Sequence, residues 1–373
     1  MGDETGAVRL ANQGGASATL ISFLKQGMDV GVFDAVLVPM RVPAGDAFAY
    51  VLIRDIALLD DACPLPPIVA VQGGKVVSRL TRLGNGDLKV VAVMRPCELR
   101  ATIELAKLGQ TNLSNITLVS MDCPGALALA KFIKDPEGGT EIFEKAAQDW
   151  RDEDLRPICQ ICHHATMISG DLHLGLLGGD ENHLLLISNS EKGDEIVRRL
   201  GLTIGEKSSV RVTEVQRVTQ KRLAKREEWR SEFESRVKGI SNLINSLETC
   251  INCHNCMRVC PLCYCRLCYF DSENVRHPAD DYIDQAMAKG SLRLPPGTLL
   301  FHLGRMTHMS LMCVSCGACE DACPASIPIA QIFSFVADKA QRTFDYVPGR
   351  CIDDALPLTV YRENELHEVD EDE

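Results

Sequence analysis

The sequence lacks the features that mark a membrane protein or a nucleic-acid-binding protein. No apolar run approaches the length needed to span a bilayer, so no membrane insertion is expected. The formal net charge is -12 at pH 7, and phosphate binding needs a surplus of Lys and Arg, so no nucleic-acid partner is expected. The first residues, MGDETGAVRL, have no basic region followed by an apolar stretch. We therefore expect no secretory signal and a cytoplasmic location.

Two other patterns are missing. There is no G-x-G-x-x-G motif, so the standard dinucleotide-binding fingerprint is not present, and there is no internal repeat of solenoid length. The remaining composition is that of an ordinary soluble protein, with 373 residues, 46% hydrophobic and 24% charged. This length suits two or three domains, each with its own core.

Cysteine, in contrast, is abundant. The chain has 17 cysteines, and a reducing cytoplasm would keep them as thiols, so metal binding is a better explanation than disulfides. Most of them lie in two bursts between Cys250 and Cys323. Outside the bursts stand Cys63, Cys97, Cys123, Cys159, Cys162 and Cys351.

Each burst contains the run C-x2-C-x2-C-x3-C-P. The first run is Cys250, Cys253, Cys256 and Cys260, and the second is Cys313, Cys316, Cys319 and Cys323. This spacing is the signature of bacterial ferredoxins, in which the fourth cysteine ligates the other of two 4Fe-4S clusters. The crossed assignment gives Cys250, Cys253, Cys256 and Cys323 to one cluster, and Cys313, Cys316, Cys319 and Cys260 to the other. Structural zinc prefers two separated C-x2-C pairs, so a zinc scaffold without a redox role is the weaker alternative.

Three cysteines are left over in the first burst. Cys263, Cys265 and Cys268 could be an alternative ligand set, a further metal site, or small apolar side chains that pack in the core. The spacing does not decide between these roles.

Residues 1–205 are predicted to form an α/β domain with a largely parallel sheet. Buried strands are expected in FDAVLVP, LKVVAVM, NITLVSM and HLLLIS, and helices in ASATLISFLKQG, ELRATIELAKLG and GALALAKFI. The segment VQGGKVV resembles a hairpin turn.

Three further segments are expected after the α/β domain. Residues 206–249 are predicted to be a connector helix, because Trp229, Phe233 and later apolar residues recur every three or four positions up to Leu247. This stripe should pack on the neighbouring domain. Residues 250–345 should form a small α domain of the two-cluster ferredoxin type, with a helix in FHLGRMTHMSLM. Residues 346–373 are predicted to be an extended acidic tail.

Strand ends of the α/β domain carry possible ligands. Cys97 and Cys123 each follow an apolar strand directly, and Cys159 and Cys162 form a C-x2-C pair. Because ligand-binding loops lie at strand ends in such sheets, the four thiols could surround a third cluster. Unrelated buried cysteines at strand ends are the alternative. His163 and His164 could tune or ligate a metal, or lie exposed in a loop.

A glycine pair precedes the first predicted helix. In NQGGASATL, Gly14 and Gly15 would let backbone N–H groups approach a phosphate or a flavin at the helix N-terminus. An ordinary turn explains the same residues equally well.

Several motifs together resemble those of a known family. They are QGGASATLISFLKQGMDVGVFDAVLV, RPCELRATIELAKLGQ, RPICQIC, CINCHNCMRVCPLCYC and FHLGRMTHMSLMCVSCGACEDACPASIP. The chain resembles the beta subunits of the coenzyme F420 hydrogenase/dehydrogenase family, above all those of F420-dependent formate dehydrogenase, over roughly residues 10–335.

The resemblance implies cofactors and partners. It implies FAD in the α/β domain, with Gly14, Gly15, Ser17 and Thr19 as the matching binding residues. It also implies a 4Fe-4S cluster held by Cys97, Cys123, Cys159 and Cys162, besides the two ferredoxin-type clusters. The implied partner is a catalytic alpha subunit, either a hydrogenase or a molybdenum or tungsten pterin enzyme, or an assembly like heterodisulfide reductase.

The expected function is that of an electron-transfer oxidoreductase subunit. FAD would exchange hydride with F420 or NAD(P)H, and the clusters would pass single electrons to the partner, so no catalytic side chain is expected. NAD(P)H stays open because HHATMISGDLHLG departs from the family's pattern near the expected F420 pocket. The alternative is a non-catalytic adaptor that relays electrons between other subunits.

Overall fold

The computed structural model describes residues 6–84, 86–166 and 169–360. Within these residues the amino-terminal part forms a seven-stranded sheet in the order β1-β7-β6-β5-β4-β2-β3. The strands are β1 (Ala7–Ala11), β2 (Ala35–Arg41), β3 (Phe48–Ile53), β4 (Val90–Val93), β5 (Ile116–Met121), β6 (Leu172–Gly175) and β7 (His183–Ser188).

The sheet is mixed rather than largely parallel. β2, β4, β5 and β6 are parallel to one another, but β3 pairs antiparallel with β2, and β7 pairs antiparallel with both β6 and β1. The prediction of a largely parallel sheet is therefore right for the centre and wrong for both sides. Short connections at 42–47 and 176–182 allow only antiparallel hairpins, because parallel neighbours need long crossovers. β1 nevertheless runs in the same direction as the central strands, so five strands end at one edge.

The core lies on both faces of the sheet. Along β4, Val91 and Val93 pack into one apolar cluster, while Val90 and Ala92 pack into another on the opposite face. Burial on both faces explains why the central strands have continuous apolar sequences. The four predicted strands are confirmed. β1, β3 and β6 were not predicted; β3 is an edge strand with partly exposed side chains.

Helices cover the two faces. They are α1 (Ala16–Asp29), α2 (Gly73–Thr81), α3 (Pro96–Lys107), α4 (Leu129–Phe132), α5 (Pro136–Asp149), α6 (Pro157–Gln160) and α7 (Glu191–Arg199), with a 3-10 helix at Ile56–Asp61. The predicted hairpin turn in VQGGKVV is wrong, because α2 begins there. A Cβ atom on Gly73 would lie 2.5 Å from the Tyr50 hydroxyl, so this glycine permits close helix packing. In GALALAKFI only α4 is helical.

The connector consists of two helices, α8 (Ser209–Val237) and α9 (Ile240–Leu247). The single long helix predicted here is interrupted at Gly239, whose φ of 85° lies in the left-handed region. Part of the apolar stripe packs as predicted: Phe233 is buried, and its ring lies 6.0 Å from that of Phe335 in the carboxyl-terminal region, whereas Ile240 is 56% exposed.

The carboxyl-terminal region is helical. It contains α10 (Asn255–Val259), α11 (Ala279–Lys289), α12 (Thr298–Met309), α13 (Ala318–Asp321) and α14 (Ile329–Thr343), and 3-10 helices at Tyr269–Asp271, Glu273–Val275 and Pro357–Thr359. The helix predicted in FHLGRMTHMSLM is confirmed as part of α12. Across the part of the chain that the structure describes, no helix has the length and apolar character needed to cross a membrane.

The segment after α14 contacts the sheet domain. The Tyr346 hydroxyl donates to Glu104 Oε2 at 2.7 Å, and the Gly349 N–H donates to Glu104 Oε1 at 2.7 Å. Arg100 Nε donates to the Pro348 carbonyl at 2.7 Å. These bonds fasten the two halves of the protein together. Residues 361–373 of the predicted acidic tail lie outside the described residues.

Candidate iron–sulfur centres

The edge where the parallel strands end carries four of the predicted ligands. Cys97 lies in the first turn of α3, directly after β4, and Cys123 follows β5. The Cys123 N–H donates to the Ala165 carbonyl at 2.7 Å, which ties the loop carrying Cys159 and Cys162 to the same edge. We call these four residues the amino-terminal group: Cys97, Cys123, Cys159 and Cys162.

The four thiols lie close enough to interact electrostatically. Burial raises the pKa of Cys97 well above its ordinary value, and neighbouring charges that include Cys123 and Cys162 raise it further. Burial also raises the pKa of Cys123, with Cys159 and Cys162 adding to the increase. Such thiols become thiolates only when positive charge is supplied, as the iron of a cluster supplies it. A set of four sulfur donors with no carboxylate among them fits a 4Fe-4S cluster.

Two buried arginines lie against this group. Arg95 is 2% exposed, and its Nη1 donates to Cys123 Sγ at 2.8 Å. Arg156 Nη2 lies 3.4 Å from Cys159 Sγ, while its Nη1 is paired with Asp321 Oδ2 at 2.8 Å. The Arg156 pair therefore links the amino-terminal group to α13. Neither arginine was predicted from the sequence as a site residue, although each stands within three residues of a cysteine in RPC and RPIC.

A carboxylate network holds the strand end beside Cys123. Asp122 is fully buried and accepts from His173 Nε2 at 2.7 Å and from Arg211 Nη1 at 2.7 Å. Burial disfavours its ionisation, but Arg211 and His173 outweigh burial and hold the pKa of Asp122 well below its usual range. The network joins β5, β6 and the start of α8, so the Cys123 loop is fixed from three sides.

The middle group consists of Cys260, Cys313, Cys316 and Cys319, and these four residues line one cavity. The other lining side chains are mainly apolar, among them Leu262, Met309 and Phe333. Burial raises the pKa of Cys316 to about 12, and Cys260 and Cys313 contribute to the increase. The structure thus brings Cys260 of the first run together with three cysteines of the second run.

The outer group contains Cys250, Cys253, Cys256 and Cys323. Burial raises the pKa of Cys256 to about 11; Arg305 lowers it, while Cys250, Cys323 and Cys253 raise it. Burial raises the pKa of Cys250, and Cys323 contributes to the increase. Cys323 therefore lies with three cysteines of the first run, so the fourth cysteine of each run lies with the other run, as the crossed assignment requires.

Arg305 on α12 lies between the middle and outer groups. Its side chain is 3% exposed, and its Nη1 donates to Cys256 Sγ at 3.1 Å. Its guanidinium stacks over the Phe333 ring at 4.6 Å. Burial alone would lower the pKa of Arg305, but nearby sulfurs of both groups, including Cys256 and Cys260, outweigh burial and raise it. The buried positive charge of Arg305 therefore interacts electrostatically with sulfurs of both groups.

The three groups follow one another through the protein. Cys97 of the amino-terminal group lies within electrostatic reach of Cys316 of the middle group. Arg100, 3% exposed on α3, interacts with Cys162 and Cys97 on one side and with Cys313 on the other. The amino-terminal, middle and outer groups are therefore arranged in that order.

His163 and His164 are not exposed loop residues. Their rings lie 4.0 Å apart, and burial lowers the pKa of His163 to about 4, so it is neutral at physiological pH. Both line a cavity of about 280 Å³ whose walls include Cys162 and Cys313. The reading as exposed histidines is wrong because the following chain and α14 cover this loop.

The predicted flavin segment lies at the same edge of the sheet. Gly14 and Gly15 have φ values of 93° and 124°, and added Cβ atoms would meet open space. The Gly15 N–H donates to Asn12 Oδ1 at 2.7 Å, and α1 begins without a side-chain cap. The Thr19 hydroxyl donates to the Gly15 carbonyl at 2.8 Å, so Thr19 shapes the loop. Ser17 lies in the first turn of α1 and is partly exposed.

Of the leftover cysteines, Cys263 interacts with the middle group. Its thiol lowers the pKa of Cys260 to about 6, while its own pKa rises. Cys265 is exposed, and Cys268 Sγ lies 3.8 Å from Met257 Sδ. Among the described residues, no three His, Cys, Asp or Glu side chains converge where a single metal ion would sit. That geometry applies to one ion, whereas each thiolate of a cluster binds a different iron.

Comparison with known proteins finds a matching domain model and similar curated proteins. The family model described as a 4Fe-4S dicluster domain matches residues 246–327. The F420-dependent formate dehydrogenase subunit beta of Methanocaldococcus jannaschii is 26% identical, over 95% of this chain and 96% of that protein. The F420-dependent formate dehydrogenase 1 subunit beta of Methanococcus maripaludis is 27% identical over 92% of each chain.

A solved structure shows a looser likeness. A chain of the F420-reducing [NiFe] hydrogenase complex from Methanosarcina barkeri aligns with 65% of this chain and 95% of its own length, with a TM-score of 0.48 and 13% identity. The chain is therefore similar over almost its whole length to beta subunits of F420-dependent formate dehydrogenase, and it contains a 4Fe-4S dicluster domain.

Proposed function

We propose that this chain passes electrons between a hydride carrier and a partner redox subunit, by way of FAD and three 4Fe-4S clusters. The observation that carries the proposal is the succession of three four-thiol groups, in which Arg100 and Arg305 each lie between two neighbouring groups. A relay needs centres in sequence, since electrons move between neighbouring centres. The ligands would be the twelve cysteines of the amino-terminal, middle and outer groups.

The flavin would supply the exchange between one two-electron hydride and two single electrons. The chain's own part is to bind and orient it. The backbone at Gly14 and Gly15 is open on one side, and the first turn of α1 offers N–H groups to an anionic phosphate. Because β1 ends at the same edge as β4 and β5, this loop shares an edge with Cys97 and Cys123. The amino-terminal group would therefore be the first to receive electrons.

The protein also sets the electrostatics of the relay. Reduction adds negative charge to a cluster, and buried guanidinium groups at 2.8 Å from Cys123 Sγ and 3.1 Å from Cys256 Sγ stabilise that charge. Apolar side chains around the middle group exclude water and strengthen these interactions. No side chain needs to act as an acid or base, so we assign no catalytic residue.

F420 is the hydride carrier we propose, because both formate dehydrogenase relatives are named for it. NAD(P)H is the other candidate. The proposed partner is a catalytic alpha subunit with a molybdenum or tungsten pterin, which would receive or deliver electrons at the outer group. Ile251, between Cys250 and Cys253, is 63% exposed and offers an apolar contact for that subunit.

The test is reduction of the clusters by the carrier. Protein reconstituted anaerobically with iron, sulfide and FAD should lose its broad visible absorbance when reduced F420 is added, while NADPH serves as the comparison. Reduction by dithionite but by neither carrier would contradict the proposed function and support the non-catalytic adaptor.

Gly15→Ala should separate flavin binding from cluster assembly. Gly15 has φ 124° and ψ 174°, a conformation that is almost confined to glycine, and forcing alanine into it costs about 1–3 kcal/mol of local strain. We expect the variant to lose most of its FAD and its reaction with the carrier, but to keep its iron. Gly31→Ala is the matched control, because Gly31 also has positive φ and open space but lies beyond the other end of α1. Equal flavin content in both variants would contradict the proposed flavin loop.

A further inference from the structure

A surface cavity of about 340 Å³ contains all three leftover thiols. Cys263, Cys265 and Cys268 line it, together with the apolar side chains of Met257, Phe270 and Met309. None of these cysteines belongs to the three groups assigned above. The cavity therefore gathers nucleophilic sulfur that the electron relay does not use.

The walls of the cavity are strongly cationic. Lys75 and Arg79 project from α2, Arg258 from α10, and Arg305 forms the inner wall, with His308 nearby. Asp271 is the one carboxylate among the described lining residues, and it lies 3.7 Å from Arg258. Clefts lined by one sign of charge concentrate ligands of the opposite sign. The cavity thus favours an anion.

The cavity is also in contact with the middle group. Arg305 and Met309 line both this cavity and the cavity of the middle group. A molecule bound here would be separated from the middle group by these shared side chains. Electrons could pass between the two without a further cofactor.

Two of the thiols have the spacing of a redox-active pair. Cys265 and Cys268 form a C-x2-C motif, with Cys265 exposed and Cys268 partly buried. Reactive cysteines are typically found in electropositive, partly exposed surroundings of this kind. In thiol–disulfide exchange the accessible thiolate attacks, and its neighbour resolves the mixed disulfide.

We infer that this cavity binds a small anionic disulfide and that Cys265 and Cys268 reduce it with electrons from the middle cluster. Cys265 loses its proton to solvent and attacks one sulfur, which releases the first thiolate and forms a mixed disulfide. Cys268 displaces the second thiolate and closes a Cys265–Cys268 disulfide. Two single electrons from the relay, with two protons from solvent, then restore both thiols. The net change is one disulfide, two electrons and two protons converted to two thiols.

This inference rests on the proposed function only for the middle cluster as electron source, so the test bypasses the hydride carrier. Holo-protein is reduced with dithionite, separated from excess reductant and mixed with dithiobis(nitrobenzoate), a dianionic disulfide. Loss of the electron paramagnetic resonance signal of the reduced clusters measures reoxidation, because the released nitrothiobenzoate absorbs in the same visible range as the clusters. We expect Cys265→Ser to slow it at least about tenfold, and Cys351→Ser, which removes an exposed cysteine elsewhere, to leave it unchanged.

Two further variants test the disulfide exchange and the contribution of the cationic walls. Cys268→Ser should trap a mixed disulfide on Cys265, detectable by mass spectrometry. Lys75→Gln combined with Arg79→Gln should slow reoxidation by the dianionic disulfide about tenfold. The rate with neutral hydroxyethyl disulfide should not change. Reoxidation of Cys265→Ser at the wild-type rate would overturn the inference, as would a bound metal that is lost in Cys265→Ser but not in Cys351→Ser. If F420 and NADPH fail while dithionite-reduced protein still reduces the disulfide, the proposed function fails and this inference stands.

Discussion

Replacing Cys256 and Cys323 together with serine should remove one cluster, whereas replacing Cys256 and Cys260 together should remove two. The reason is the crossed arrangement, in which Cys323 lies with Cys250 and Cys256, while Cys260 lines the cavity of the second run. Two ligands lost from one site destroy that site alone. One ligand lost from each of two sites weakens both, because each thiolate binds its own iron.

Iron and acid-labile sulfide content measure this directly. The Cys256/Cys323 variant should contain about four irons fewer than the unsubstituted protein, and the Cys256/Cys260 variant up to about eight fewer. Cys63→Ser combined with Cys351→Ser is the control, since neither residue belongs to a group. If the Cys256/Cys260 pair lost only one cluster and the Cys256/Cys323 pair lost two, each run would ligate its own cluster, and the crossed assignment would be wrong.

Arg305→Gln should make the potentials of both carboxyl-terminal clusters more negative. Its guanidinium donates to Cys256 Sγ at 3.1 Å and also acts on Cys260 and Cys319. A positive charge stabilises the reduced, more negative cluster, so its removal favours the oxidised form. A charged hydrogen bond is worth about 1.5–3 kcal/mol. For one electron this corresponds to about 60–130 mV at the outer cluster, and we expect a smaller shift at the middle cluster.

The measurement is a redox titration followed by electron paramagnetic resonance. Arg305→Lys keeps the charge but loses the planar fork, so its shift should be smaller. Arg217→Gln removes a charge from an exposed ion pair on α8 and should leave both potentials unchanged. Unchanged potentials in Arg305→Gln would contradict the position assigned to this residue between two clusters.

The cysteine runs can be predicted from the sequence because most ligands of a cluster come from one short loop. The ligands of each run, and the proline after its fourth cysteine, all lie within one short segment of the chain. The central strands were equally readable, since burial on both faces leaves an uninterrupted apolar run, as in β4 and β5. The helix α12 was predicted for the same kind of reason.

The remaining features depend on contacts between distant segments. A charged residue in a sequence ordinarily indicates the surface. Arg95 and Arg305 are buried nevertheless, and each donates to a sulfur distant in sequence, Cys123 and Cys256 respectively. The glycines of VQGGKVV suggest a turn, but Gly73 lies in α2 and allows this helix to pack closely against Tyr50 of β3. His163 lies in a polar segment, and its burial comes from α14. None of these contacts leaves a periodic pattern.

The central claim is that three groups of four cysteines hold iron–sulfur clusters. Elemental analysis of anaerobically purified, FAD-free protein tests it most directly. We expect about twelve irons and about twelve acid-labile sulfides per chain, with a brown colour that dithionite bleaches. Stoichiometric zinc in colourless protein, with almost no iron or sulfide, would contradict it.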